Sequence, residues 1–415
     1  KWSQVTMHLG SGMTHSCHHP QTHKIPLDEL KANPGALHNT EHKKTQRKKM
    51  LNGERPSECD FCWRIEDNTG ETSDRVLKSL DPYSVHDFDT ISKYTGDEDP
   101  YPRYVEVSFS NVCNFKCAYC GPSFSSKWVE EIKQHGPYKL TDTHFNADSA
   151  VHIKNSEDNP YTDAFWKWLP DALPHLHTLR ITGGEPLMSK HSLKVIAYLK
   201  DHPNPNLEFA INSNGCPPDK LWKQFTKLVK ELMDDGCIKR FTLFVSAESV
   251  GEQAEYSRDG MDWDKLTSNV NYFINNTSNT RVTFMCAFNL FSIPTFLTFL
   301  EYVLHLKKRH NTHNSFTWLD ESGIDLMPTL NHGLTTYKIG GPFTNEGRGD
   351  NRIGIDIPYV RSPEFLDAKL ATTTLVSDYL IPAVDYMAAN SADEWNGHTG
   401  FLDQEMLKLK RIVID

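Results

Sequence analysis

"YVEVSFSNVCNFKCAYCGPS", residues 104–123, begins as a β-rich run and ends as a loop holding three cysteines. Cys113, Cys117 and Cys120 stand four and three residues apart, in a chain with only nine cysteines. Three readings compete at this point: a chance grouping, a tetrahedral zinc site short of one ligand, and a cluster site that leaves one metal corner unoccupied by protein. Thiolates are soft ligands suited to zinc, copper(I) and iron–sulfur clusters. Structural zinc takes four ligands, typically in two pairs. Three thiolates from one short loop instead match a cube-shaped [4Fe–4S] cluster whose fourth iron has no protein ligand. Tyr119, just before the last cysteine, adds to the specificity of the signal.

Around this loop the chain alternates between strand and helix patterns. "YVEVSFS" (104–110), "TLRITGG" (178–184), "LEFAINSNG" (207–215), "FTLFVSAES" (241–249) and "TRVTFMCAF" (280–288) read as strands ending in small or polar residues. Helical patterns fall at 191–202, 219–236, 264–276 and 293–310. Repeated strand–helix units predict an α/β fold, a parallel sheet with helices outside, open or closed as a barrel. Polar and glycine-rich residues gather at the carboxyl ends of the strands, where parallel α/β folds place their chemistry. The span 121–177 exceeds an ordinary crossover and reads as an insertion. A sixth strand is expected at 324–330, a mobile glycine-rich loop at 340–354, and a final helix near 371–389.

Composition sets outer bounds. A chain of 415 residues has room for one large domain or two to three ordinary ones. No apolar run approaches the roughly 18 to 20 residues that span a bilayer, so no membrane partner is expected. The first twenty residues lack the apolar core of a signal peptide, and the expected compartment is the cytoplasm. A net charge of −10 without a long basic stripe argues against nucleic acid as the main partner. An odd cysteine count makes a disulfide framework a poor reading. Cys216, Cys237 and Cys286 are isolated and read as small buried hydrophobes. "EHKKTQRKK", on a helix over 40–51, reads as a solvated basic face or, more sharply, a contact for an acidic substrate or partner.

With its strand-end motifs, the chain resembles the radical S-adenosylmethionine (SAM) superfamily. The resemblance implies that Cys113, Cys117 and Cys120 hold a [4Fe–4S] cluster and that SAM chelates the open iron. It places "TGGEP" (182–186) at the SAM ammonium, through Gly183, Gly184 and Glu185, with Pro186 stiffening the strand exit. It assigns Ser213 and Asn214 of "NSNG" to the ribose, with Ser246 and Glu248 of "SAES" reaching its hydroxyls. Arg258 matches the arginine that pairs with the SAM carboxylate, and Asn289 is a candidate near the adenine. The implied chemistry is reductive cleavage of SAM to a 5′-deoxyadenosyl radical, which removes a hydrogen atom from substrate. Beyond the cluster no catalytic residue is readable; Glu248 and Tyr256 are weak candidates.

A second set, Cys17, Cys59 and Cys62, lies beside His15, His18, His19 and His23. By similarity to the twitch and SPASM modules of radical SAM enzymes, it would carry one auxiliary [4Fe–4S] cluster. Structural zinc with three cysteines and a histidine is the alternative. Twitch modules ordinarily follow the barrel, whereas these cysteines precede it. The resemblance therefore implies a partial (β/α)6 TIM-like barrel over 103–310, completed within 311–415. It is preceded by a twitch-like module over 1–75 and a linker over 76–102. The implied substrate is a peptide or protein side chain, with a flavodoxin or ferredoxin as reductant. A small-molecule dehydrogenase acting on a sugar, aminocyclitol or nucleotide derivative is the runner-up, and a non-catalytic iron–sulfur sensor is the alternative from another class.

Overall fold

The structure is a computed structural model; it describes residues 2–69, 72–81, 84–85, 87–138, 145, 152–154, 157–311, 329–332, 335–338, 352–392 and 399–414. Contacts divide the chain into two compact units, one from 1–109, 153–180 and 318–346, the other from 110–152, 181–317 and 347–415. In chain order the strands are β1 (Gln4–His8), β2 (Met13–His15), β3 (His23–Lys24), β4 (Tyr104–Ser108), β5 (Lys116–Cys117), β6 (Thr178–Thr182) and β7 (Asn204–Ser213). They continue as β8 (Ile238–Ser246), β9 (Arg258–Asp259), β10 (Thr280–Met285), β11 (Thr329–His332), β12 (Thr335–Lys338) and β13 (Ile353–Asp356). The fold is mixed α/β with parallel strands at its centre.

In the first unit β1 lies parallel to β4, with Val5 opposite Val105 and Met7 opposite Val107, all four side chains buried. β2 and β3 extend the sheet in antiparallel fashion from β1. The amino-terminal stretch, for which the sequence announces only the helix over 40–51, thus supplies three strands. Five residues, "QVTMH", carry too short a pattern to announce a strand whose partner lies a hundred residues on. The helix Glu41–Leu51 forms as expected, with Thr40 Oγ1 accepting from Lys43 N as its cap. Its basic face is not the solvated one expected. Lys43 and Arg47, four apart and hence on one side, are buried; they donate to Thr14 Oγ1 and Asn39 Oδ1, each at 2.8 Å. Lys44 and Lys48 pair with Asp99 and Asp97 of "GDEDP", so the acidic partner of this helix lies in its own unit.

Beneath that helix His38 is fully buried, its Nε2 lying 2.8 Å from the Trp2 carbonyl and 3.2 Å from Arg47 Nη2. Burial, reinforced by the Arg47 and Lys43 charges, holds its pKa well below the ordinary 6.5. The unfolded chain therefore takes up a proton that the folded chain refuses, and stability is lost as pH falls below 6.5. The difference in unfolding free energy between pH 7 and pH 5, from urea titrations, should shrink in His38→Gln; an unchanged difference would contradict the assignment.

In the second unit β7, β8, β10 and β13 form a parallel set. The helices Lys190–Asp201, Asp219–Asp234, Trp263–Asn276 and Phe296–His310 alternate with the strands. Phe209, Phe225, Phe241 and Phe273 are buried together, Phe225 stacked on Phe273 at 5.6 Å and Phe209 edge-on to Phe241 at 5.5 Å. The tryptophan beside them, Trp222, satisfies its indole N–H on the Asn269 carbonyl at 3.0 Å. Cys216, Cys237 and Cys286 are buried, as the isolated thiols were expected to be.

One expectation needs correction: the strand beside β10 is β13, from the tail of the stretch read as a mobile loop; of the strand expected at 324–330, residues 324–328 lie outside the described residues. The helix expected near 371–389 forms as three contiguous pieces, Thr373–Leu375, a wider-wound turn at Val376–Leu380 and Ile381–Ala389, and a further helix, Asp403–Ile414, follows it. That last helix is anchored by the buried pair Lys307–Glu405 at 2.9 Å. Among the described residues no helix is long and apolar enough to cross a membrane.

Candidate functional site

The site is built within the second unit, starting from the loop Ser110–Ser123. Its fold is set by residues that the sequence alone did not single out. Ser125 Oγ donates to the Phe115 carbonyl at 2.6 Å, Trp128 Nε1 donates to the Cys117 carbonyl at 2.9 Å, and Asn114 Nδ2 donates to the Cys216 carbonyl at 3.0 Å. β5 then pairs with β9, setting Cys117 opposite Arg258, and Ala118 N donates to the Ser257 carbonyl at 2.9 Å. The cysteine loop is thus clamped before any metal is considered.

All nine cysteines are free thiols. N–H donors point at two sulfurs of the loop: Phe115 N lies 3.4 Å and Asn214 Nδ2 4.0 Å from Cys113 Sγ, and Arg258 Nη1 3.9 Å from Cys117 Sγ. Burial pushes Cys117 up to about 12, against the pull of Arg258, and also raises Cys113 and Cys120. Thiols so buried stay protonated at neutral pH unless a cation holds them as thiolates. A soft donor set with N–H groups already aimed at sulfur fits an iron–sulfur cluster.

The second strand end, "TGGEP", packs directly on this loop. Gly184 N donates to the Ser110 carbonyl at 3.1 Å and Glu185 N to the Val112 carbonyl at 2.7 Å. Gly183 has φ +130°, a region that side chains other than glycine rarely enter. At Gly184 a Cβ would stand 2.3 Å from the Val112 carbonyl oxygen, which is backbone and cannot swing aside. Gly184→Ala should therefore lower stability by about 1–3 kcal/mol and displace the loop, halving or worse the iron retained per chain. Thermal midpoint and iron assay check this, and wild-type values for both would contradict it.

Glu185 is buried, and its carboxylate accepts from Asn214 N at 2.7 Å, Ser213 Oγ at 2.9 Å and Leu187 N at 3.1 Å. About four acceptor positions exist on a carboxylate, so about one is left for an ammonium group. Burial pushes Glu185 up to about 7 against these bonds, and an arriving cation would restore its charge. Pro186 opens the single turn Pro186–Met188 that leads into the next helix. Asn214 joins the strand end to the loop, donating to Asn114 Oδ1 at 2.8 Å. Ser213 and Asn214, assigned by the resemblance to the ribose, stand beside Glu185, and Asn214 also beside Cys113, and both brace the site.

At the end of β8, Ser246 is half-buried and Glu248 is buried. Glu248 forms a forked pair with Arg258, whose Nε lies 2.9 Å from Oε1 and whose Nη2 contacts Oε2, while Tyr119 donates its hydroxyl at 3.3 Å. The guanidinium also sits over the Tyr119 ring, 5.2 Å from its centroid. Burial opposes the charge on Arg258, yet Glu248, Tyr119 and Cys117 outweigh it and hold the pKa above the arginine range. The expected partners of these groups were SAM atoms; here two of them find each other. Asn289 caps the turn Leu290–Thr295 with its oxygen and bonds the Ala287 carbonyl with its nitrogen, so its amide is engaged locally. Tyr256 is 70% exposed and touches the Phe291 ring edge-on at 5.5 Å.

In the first unit, Cys59 ends the turn Ser57–Cys59 and Cys62 lies three residues on in the helix Asp60–Thr69, which puts both on one face. Both are buried, and Cys17 is half-buried. His15 stacks on His8 and contacts the Cys17 carbonyl. His19 stacks on Phe61 at 4.0 Å and pairs with Asp74 at 2.7 Å.

No family model matches the chain. A curated relative, a GTP 3′,8-cyclase of Nautilia profundicola, is 27% identical over 129 residues, 31% of this chain and 31% of that protein. The chain thus aligns with about a third of that relative's length. Among solved structures, Streptococcus suis SuiB is similar with a TM-score of 0.35 and 12% identity, over 74% of this chain and 59% of that one. SuiB bound to its precursor peptide SuiA gives 0.34 and 13%, over 73% and 60%. Scores of this size carry no further weight.

Proposed function

We propose that the chain is a radical SAM enzyme. The observation that carries the reading is the clamped loop of three free thiols, Cys117 buried and Cys113 and Cys120 half-buried, packed against Gly184, Glu185 and Asn214 in one unit. The GTP 3′,8-cyclase relative is itself a radical SAM enzyme, which supports it. When bound, the cluster supplies the single electron that splits SAM into methionine and a 5′-deoxyadenosyl radical. The chain's own part is to hold three corners and leave the fourth open. Gly183 and Gly184 let backbone come close, and Glu185 keeps about one acceptor for the SAM ammonium. Arg258, fixed by Glu248 and Tyr119, keeps a permanent positive charge beside Cys117 and so favours the thiolate.

Cys17, Cys59 and Cys62 are proposed to hold one auxiliary [4Fe–4S] cluster, with a flavodoxin or ferredoxin as reductant. For the substrate we keep a peptide or protein side chain as the leading reading. The exposed aromatic residues of the second unit, Tyr256 at 70% and Phe124 at 49%, support it. The basic helix supports it less, since Lys43 and Arg47 are buried and Lys44 and Lys48 are paired. A nucleotide derivative is the second reading, favoured by the GTP-acting relative. Anaerobic, reduced protein with iron in place should convert SAM to 5′-deoxyadenosine and methionine. None above background would overturn the reading in favour of a sensor. Deuterium transfer into 5′-deoxyadenosine from a peptide, but not from a nucleotide, decides the substrate class.

A further inference from the structure

The first unit holds a second constellation outside the cysteines. One ring nitrogen of His23, one of His42 and one carboxylate oxygen of Glu58 all lie within 4.8 Å of one another. Among the described residues this is the group of three or more donor atoms close enough to share one ion. The three come from separate pieces of chain: β3, the first turn of the helix Glu41–Leu51, and the turn Ser57–Cys59. The thiol of Cys59 is not in the group.

An ordinary surface ion pair explains only part of this. His42 Nε2 and Glu58 Oε1 are 2.7 Å apart, with the histidine 45% exposed, and such pairs contribute little. The pair does not explain His23. That ring stands 4.3 Å from His42, tilted by 38°, and its Nε2 is 3.0 Å from Thr40 Oγ1. Its Nδ1 is buried without any hydrogen-bond partner. A ring nitrogen stripped of water and left unpaired is unfavourable, and native structures rarely keep one without a reason. A ligating histidine commonly has its other nitrogen fixed by an oxygen, as Thr40 fixes this one. Lys43, the nearby cation, is tied to Thr14 Oγ1 at 2.8 Å.

We propose that His23, His42 and Glu58 bind one divalent first-row cation, zinc by ligand type, at a mononuclear site independent of the cysteines. Two imidazoles and a carboxylate, with a solvent-facing position left over, are an established ligand set for such ions. The ion would join β3 and the helix Glu41–Leu51 to the turn that presents Cys59, and so hold that turn in place.

The full chain with its iron–sulfur content in place is loaded anaerobically with one equivalent of zinc and studied by X-ray absorption at the zinc edge. We expect nitrogen and oxygen neighbours at about 2.0–2.1 Å and no sulfur at about 2.3 Å. His42→Ala, at an exposed ring, and Glu58→Gln should each weaken zinc binding by at least about 10- to 100-fold, the loss that even an outer partner brings. Their circular dichroism should stay that of the parent chain. Zinc–sulfur scattering, unchanged affinity in both variants, or no zinc bound by the parent chain would overturn the proposal. The readout needs no turnover, so this proposal and the radical SAM reading can fail separately.

Discussion

Replacing any one of Cys113, Cys117 and Cys120 with alanine is expected to bring 5′-deoxyadenosine formation down to the enzyme-free background. The reason is geometric as well as chemical. The three thiols sit on a loop held by Ser125, Trp128 and the β5–β9 pairing, and no other cysteine of the chain belongs to that loop. Loss of one sulfur removes a corner that no neighbour can supply. Cys237→Ala is the matched control: it also deletes a buried thiol, yet it should keep iron and activity. Liquid chromatography of quenched anaerobic reactions, with iron determined on the same samples, separates the outcomes. Activity surviving in Cys117→Ala at full iron content would remove the basis of the proposed function.

The second large effect concerns Arg258. Its partner Glu248 has a side chain with no exposed surface, so Arg258→Met leaves a buried carboxylate without its cation. Breaking such a pair costs about 3–5 kcal/mol, because the remaining charge is neither paired nor hydrated. The double variant Arg258→Met, Glu248→Leu removes both charges and should recover most of the loss. Denaturant titrations of parent, single and double variants test this. A double variant as unstable as the single one would show that the pair is not what holds this corner of the site.

How much of this was legible depends on how local the signal was. The strand ends at 182–186, 212–215 and 246–249 carry their small and polar residues in consecutive positions, and the structure brings all three onto the cysteine loop, the third through the Tyr119–Glu248 bond. The pairing of Arg258 with Glu248 was not legible. A turn and a short helix, Gly251–Ser257, separate them, and resemblance pointed both at the cofactor. The basic helix misled for a related reason: charge runs announce solvent, but nothing local announces that Lys43 and Arg47 face inward onto Thr14 and Asn39. β1 and β13 are five and four residues long and gain their stability from parallel partners far away in the chain. The histidine–glutamate group proposed to bind an ion draws on three segments between residues 23 and 58, and no spacing rule joins them.

The most direct measurement is electron–nuclear double resonance on the reduced, SAM-loaded protein, with the SAM amino nitrogen and carboxylate oxygen isotopically labelled. Hyperfine coupling of both labels to the cluster is what the proposed function predicts, because Cys113, Cys117 and Cys120 would hold three irons and leave the fourth to SAM. Bound SAM with an intact cluster and no coupling to either label would contradict that claim.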